Sequence, residues 1–153
     1  MPLTQAEFES ILNDASKSIE GNLEWQPDPD HSPSVEFRAE VDSDAGHPLV
    51  VVGSYNRLVQ ALSYTLLHRE SGRVYALDLG KDHRNPDGQL VGEKHKHRWT
   101  EKHRDKEAYD PPDITSGPSQ PLQVWTQFCA EAKLTHKGTL RAPPPVAVEE
   151  FFP

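Results

Sequence analysis

The sequence predicts one α+β domain with an N-terminal helix, an antiparallel sheet of about five strands, a C-terminal helix and an extended proline-rich tail. Three observations support this. A helix-capping signal precedes an apolar periodic stretch, alternating segments fill the middle, and a second periodic stretch follows a proline. The length of 153 residues and the hydrophobic fraction of 35% suit one modest core. We assign residues 1–138 to the domain and residues 139–153 to the tail.

The first helix is predicted over residues 4–20. Thr4 and Glu7 form a capping box, in which each side chain accepts a hydrogen bond from the other residue's backbone N–H. Apolar residues then recur at helical spacing, at Phe8, Ile11, Leu12, Ala15 and Ile19. Gly21 is expected to end the helix, because glycine readily takes the left-handed conformation that follows a helix.

Five segments have the composition of strands. Over residues 35–41 apolar and charged residues alternate strictly, as in a strand with one buried face. The other predicted strands cover residues 49–53, 58–69, 74–79 and 94–99. Ser71-Gly72 is typical of a hairpin turn, so the strands are expected to form an antiparallel meander. Residues 85–88 (Asn-Pro-Asp-Gly) predict a tight turn that brings His83 back toward the last strand.

A second helix is predicted to begin at Pro121, because the first helical turn tolerates proline. Its apolar side comprises Leu122, Val124, Trp125, Phe128, Cys129, Ala132 and Leu134. We therefore interpret Cys129 as a small core residue rather than a nucleophile. The tail contains three consecutive prolines at 143–145 and is expected to be extended.

Charge and cysteine content exclude several classes of protein. A net charge of -8 argues against a protein that coats nucleic acid generally. The single cysteine excludes an internal disulfide and zinc sites of the Cys₄ or Cys₂His₂ kind, and it fits a reduced, cytoplasmic setting. No apolar run is long enough for a membrane span, and the N-terminus lacks the features of a signal peptide, so we expect no membrane association.

The stretch over residues 81–109 concentrates side chains that carry chemistry. It holds eight of the sixteen Lys and Arg residues and four of the eight histidines: His83, His95, His97 and His103. If residues 94–99 form a strand, His95 and His97 share one face. The basic residues Lys94, Lys96 and Arg98 then share the other.

Three interpretations of this stretch stay open. In one, His95 and His97 are the acid and base of RNA cleavage, and nearby cations stabilise phosphate charge. The candidate cations are Lys94, Lys96, Arg98 and Arg104. In another, His95, His97 and His83 or His103 bind a divalent metal ion with a carboxylate. The candidate carboxylates are Asp82 and Asp87. In the third, the stretch is a solvated loop and edge strand. The sequence specifies no cofactor.

The central stretch also carries a resemblance. The pattern His-Arg-Asn-Pro-Asp-Gly (83–88), His-x-His (95–97), Glu101, Asp-Lys (105–106), Ala-Tyr (108–109) and Phe-Cys (128–129) resembles a family of small uncharacterised bacterial and phage proteins. More distantly, Asp78 followed by His95-Lys96-His97 is similar to TumE-like toxins of toxin–antitoxin pairs. That similarity implies an RNA-directed activity on a small α+β scaffold, with Asp78 among the binding residues. Ala76 stands where the toxin pattern has an arginine.

The leading hypothesis is therefore a toxin-like or mobile-element protein, a candidate endoribonuclease, with His95, His97 and His83 as catalytic residues. Its partners would be RNA or a cognate antitoxin-like protein. The alternative is a non-enzymatic phage or bacterial inhibitor whose acidic surface binds a basic protein. A metal-dependent hydrolase is the third hypothesis. The sequence does not specify the oligomeric state.

Overall fold

The structure is a computed structural model that describes residues 4–30, 33–80, 83–84, 90–91, 94–98, 108–109 and 117–145, with only the backbone of the short ranges between 83 and 109. Within these ranges the helices are α1 (Gln5–Asn13) and α2 (Pro121–Glu131). The strands are β1 (Ser18–Glu20), β2 (Gln26–Pro27), β3 (Ser34–Val41), β4 (Leu49–Asn56), β5 (Ala61–His68), β6 (Gly72–Leu79), β7 (His83–Arg84), β8 (Leu90–Val91), β9 (Lys94–Arg98), β10 (Ala108–Tyr109) and β11 (Thr135–Lys137).

The main sheet has the order β10-β9-β6-β5-β4-β3-β2, and each neighbouring pair is antiparallel. Its five longer strands, β3, β4, β5, β6 and β9, form the predicted meander, with β2 and β10 as two-residue strands at its edges. The predicted α+β fold is confirmed, with one helix before the strands of the sheet in the chain and one helix after them. Alternating burial along β3 and β5 shows that one face of the sheet carries the core, as the alternating sequence requires.

The first helix begins as predicted but ends early. Thr4 and Glu7 form both hydrogen bonds of the capping box, at 3.1 and 3.3 Å. The predicted end at residue 20 is wrong, because α1 stops at Asn13. The Asp14 carboxylate accepts the backbone N–H of Ser16 at 2.9 Å, a local turn that competes with the helix. Residues 18–20 instead form β1, which pairs in parallel with β11 near the C-terminus.

The hairpin between β4 and β5 also departs from the expected boundaries. β4 continues to Asn56, and β5 begins at Ala61 rather than at Leu58. The Asn56 side-chain oxygen accepts the backbone N–H groups of Leu58 and Val59 at 3.1 and 3.3 Å. This local capping holds residues 57–60 in a turn despite their β-favouring composition.

The second helix covers the core face of the sheet. The rings of Tyr64 and Phe37 approach Trp125 with centroid distances of 5.1 and 5.5 Å. Tyr64 is fully buried, and its hydroxyl donates a hydrogen bond of 2.7 Å to the Pro121 carbonyl. Leu122 was predicted on the apolar side, but it is 37% exposed. The buried stripe of the helix consists of Pro121, Val124, Trp125, Phe128 and Cys129, and position 122 lies beside it.

The beginning of the tail joins the domain through a parallel arrangement. Beyond the β1–β11 ladder, Leu23 and Leu140 form an isolated parallel bridge, and Leu140 is buried in the core cluster. Residues 146–153 lie outside the described ranges, and the division of the chain at residue 138 stays a prediction. Within the described ranges, neither helix has the length and apolar character needed to cross a lipid bilayer.

Candidate functional site

The strand that carries the histidine pair forms as predicted and lies beside β6. In this antiparallel ladder, His95 is opposite Asp78 and His97 is opposite Ala76. On its other side β9 pairs with β10, where His97 is opposite Ala108. Asp78 was suggested only by the similarity to TumE-like toxins. It is a direct cross-strand neighbour of His95, one of the candidate catalytic positions.

The register also separates the histidine positions from the basic positions of β9. Residues directly opposite one another in an antiparallel ladder belong to the same face of the sheet. In β6, Tyr75, Leu77 and Leu79 are in the hydrophobic core, and they are opposite the positions of Arg98, Lys96 and Lys94. Positions 95 and 97 therefore belong to the other face, which we call the open face. The backbone does not bring the two sets together, and the binding role of the three basic residues stays a prediction.

A row of polar residues crosses the open face and ends at the histidine strand. Successive ladders join Glu36, Ser54, Ser63, Asp78 and the position of His95. Within this row Glu36 is exposed, whereas the serines and Asp78 are half-buried. An adjacent row joins Arg38 to the position of His97 through Val52, Thr65 and Ala76. Among the described residues of these two rows, Asp78 is the carboxylate residue directly opposite a histidine position.

One cation on the open face was missed by the sequence reasoning. Arg73 is opposite Leu67, because the β5–β6 register shifts between Leu66 and Leu67. Without this shift, strict alternation along β6 would place Arg73 on the core face with Tyr75. The shift moves Arg73 to the face of Asp78 and leaves Val74 in the core. No local signal in the sequence marks this irregularity.

The remaining predicted site residues are not brought into this arrangement by the described backbone. His83 lies in β7, opposite Val91 of β8, in a two-stranded ladder separate from the main sheet. Arg104, His103, Asp82, Asp87 and the turn at 85–88 lie outside the described residues. Among the described side chains, no group of three His, Cys, Asp or Glu residues could hold a metal ion. Metal binding by His83, His95 and His97 stays a prediction.

Comparison with known proteins places this chain in a family. Residues 3–134 match the model of a family of unknown function, DUF6978. The chain belongs to this family. The matched range contains α1, the whole main sheet and α2, and so it includes Asp78 and the histidine strand. No curated protein and no solved structure matches the chain.

Outside the open face, the potentially reactive side chains of Cys129, His136 and His68 are buried or held in hydrogen bonds within the fold. Burial raises the pKa of the Cys129 thiol to about 12, so the thiolate required of a nucleophile is disfavoured. His136 accepts a hydrogen bond on Nδ1 from the Trp125 indole at 3.1 Å, so its Nε2 donates to the Gly21 carbonyl at 2.8 Å. Burial lowers the pKa of His68, whose Nδ1 accepts the Glu70 backbone N–H.

Two cavities border α2 on the side away from the open face. The larger, of about 450 Å³, lies between the start of α2 and residues 142–145 of the tail. The smaller, of about 370 Å³, lies between the middle of α2 and residues 138–140. Leu122 lines both cavities. The tail residues that line these cavities lie beyond residue 134, where the match to the family model ends.

Proposed function

We propose that this protein cleaves RNA in the cytoplasm, as a toxin-like or mobile-element enzyme, with a site on the open face at β6 and β9. The observation that supports the proposal is the register that pairs Asp78 with His95 and puts His97 on the same face. Imidazole is suited to move protons near neutral pH, and a neighbouring carboxylate favours its charged form.

The two histidines then take different roles. His97, whose cross-strand neighbour on β6 is the uncharged Ala76, acts as the base and accepts the proton of the RNA 2′-hydroxyl. The 2′-oxygen bonds to the adjacent phosphorus while the bond from phosphorus to the 5′-oxygen breaks. His95, kept protonated by Asp78, donates its proton to the departing 5′-oxygen. Arg73 stabilises the negative charge that develops on the phosphate.

The test is cleavage of a labelled RNA by the wild-type protein and by the variants His95→Ala and His97→Ala. Each variant should lose on the order of 10²- to 10⁴-fold in rate, the usual contribution of one acid or base. The wild-type rate should rise and then fall with pH around the ordinary imidazole pKa of about 6.5. Asp78→Asn should shift the falling limb to lower pH, because His95 loses the carboxylate that favours its protonation.

Glu36→Gln is the matched control for Asp78→Asn, because it removes a carboxylate from the far end of the same polar row. Its pH profile should equal that of the wild type. Loss of activity with chelator and recovery with a divalent ion would instead support a metal-dependent hydrolase. If expression causes no growth arrest and the protein cleaves no RNA, a non-enzymatic inhibitor with an acidic surface takes the place of this proposal.

A further inference from the structure

The tail contains a proline segment whose backbone can accept hydrogen bonds but hardly donate them. Residues 142–145 (Ala-Pro-Pro-Pro), which we call the strap, offer a single N–H group, because proline has none. A residue that precedes proline is also restricted to extended or polyproline II conformations, which favours an extended strap. Any partner that holds the strap by its main chain must therefore donate to its carbonyl groups.

Arg57 provides these donors. Its Nη1 donates to the carbonyl groups of Pro144 and Pro145 at 3.0 and 3.1 Å, and its Nε donates to the Pro33 carbonyl at 2.9 Å. One guanidinium thus contacts two consecutive carbonyls of a proline run. The planar guanidinium presents Nε to the Pro33 carbonyl and Nη1 to the strap in a fixed geometry, which the single ammonium group of lysine cannot reproduce.

The strap leaves room beside it. The larger cavity, of about 450 Å³, is bordered by the strap, Tyr55, Arg57, Pro121 and Leu122. This volume falls in the range of cavities that bind small molecules or side chains. Apart from the strap, the walls combine the ring of Tyr55, Pro121 and Leu122 with the Arg57 side chain and a few other polar groups, and aromatic-lined surfaces of this kind bind polyproline II segments. We call this surface the proline groove.

Exposed apolar side chains lie in the groove or directly follow one of its lining residues in sequence. Among the described residues, the large hydrophobic side chains that are exposed are Leu58, Val59 and Leu122, at 47%, 65% and 37%. Leu122 lines the groove, and Leu58 and Val59 directly follow Arg57 in the β4–β5 turn. Exposed apolar residues gathered at one place mark interaction surfaces more often than scattered ones do.

We infer that the proline groove binds a proline-rich segment of a partner protein, and that the strap is an intramolecular ligand which competes with it. The strap shows which chemistry this surface accepts, because two consecutive proline carbonyls receive hydrogen bonds from Arg57, and the strap lines one cavity together with Tyr55 and Leu122. The groove lies at α2, whereas the histidine positions belong to the open face of the sheet. This inference is therefore independent of the proposed RNA cleavage.

The test is a titration of the full chain with the peptide Arg-Ala-Pro-Pro-Pro-Val, the sequence of residues 141–146, followed by NMR. Saturable shifts are expected at Leu58, Val59 and Leu122, and a peptide with alanine in place of its prolines should cause none. The variant Pro143→Ala/Pro144→Ala/Pro145→Ala should bind the peptide about 10-fold more tightly or better. Without its prolines the strap no longer favours the bound conformation, so the groove is unoccupied in a larger fraction of the molecules.

Two variants test the contacts. Arg57→Lys should weaken peptide binding, because one ammonium group replaces the forked donor. Leu122→Glu should abolish it without unfolding the chain, since this side chain is already partly exposed. Ala130→Glu is the matched control, because it adds the same charge to an exposed position of α2 that borders neither cavity. It should bind like the wild type.

Several results would overturn the inference. One is the absence of saturable shifts at the groove, and another is equal binding of the proline and alanine peptides. Equal affinity of the wild type and the triple proline variant would show that the strap does not compete. Concentration-dependent self-association with shifts at Leu58 and Leu122 would show that a second copy of the chain, rather than a separate partner, occupies the groove.

Discussion

Lys17 is a buried cation at the end of α1, and its titration gives a direct test of how this region is held. The residue is fully buried, and its ammonium group donates to the Ile11 and Leu12 carbonyls at 2.5 and 2.9 Å. These carbonyls belong to the last turn of the helix, where cations are favourable. Burial nevertheless dominates, because it lowers the pKa of Lys17 to about 8, while the Asp14 carboxylate acts in the opposite direction.

The effect on stability follows from the difference between the folded and unfolded pKa values. Below pH 8 Lys17 is charged in both states, so its contribution does not change with pH. Between pH 8 and the ordinary lysine pKa of 10.5, the unfolded chain binds more protons than the folded protein, so the free energy of unfolding rises with pH. With about 1.36 kcal/mol per pKa unit, the gain from pH 7.5 to pH 9.5 is about 2 kcal/mol.

The assay is urea unfolding of the wild type and Lys17→Met between pH 7.5 and pH 9.5, followed by tryptophan fluorescence. The wild type should gain about 2 kcal/mol relative to the variant over this interval. Taking the difference removes the opposite trend from Cys129, which both proteins share. Lys137→Met removes an exposed lysine and serves as the control for the loss of one positive charge. A flat or falling difference for Lys17→Met would refute the argument that burial outweighs the helix-end contacts.

Three further changes test the core. Tyr64→Phe removes the hydrogen bond to the Pro121 carbonyl and should lower the free energy of unfolding by about 1 kcal/mol in urea, and no loss would show that this bond is not net stabilising. Burial lowers the pKa of His68, so below about pH 6.5 the unfolded state binds more protons than the folded state. The free energy of unfolding should therefore fall as the pH is lowered, and it should fall less in His68→Gln. Gly53→Ala would place a Cβ atom 2.1 Å from the Phe37 ring and should cost on the order of 1–3 kcal/mol, part of which Phe37→Leu restores. An unchanged melting temperature for Gly53→Ala would contradict this contact.

The sequence by itself determined the elements whose signals are local. The alternation in residues 35–41 gives β3, since a period of two with one apolar face fits only a half-buried strand. The capping box at Thr4 and the proline at 121 mark the starts of both helices within one turn. His95 and His97 were expected on one face for the same reason, because the spacing of two residues along a strand is a local property.

Only the tertiary structure decided the contacts between residues that are distant in sequence. A local turn at Asp14 ends α1, but residues 18–20 become a strand because they pair with residues 135–137, and nothing near Ile19 reveals this distant partner. The pairing of Asp78 with His95 depends on the register of two strands joined by fourteen residues, and Arg73 reaches the open face only through a local shift in that sheet. Arg57 likewise meets the proline carbonyls 87 and 88 residues away. Such pairings depend on the packing of the whole chain, because the hydrogen-bonding groups of any extended segment are alike and local sequence cannot specify which of them meet.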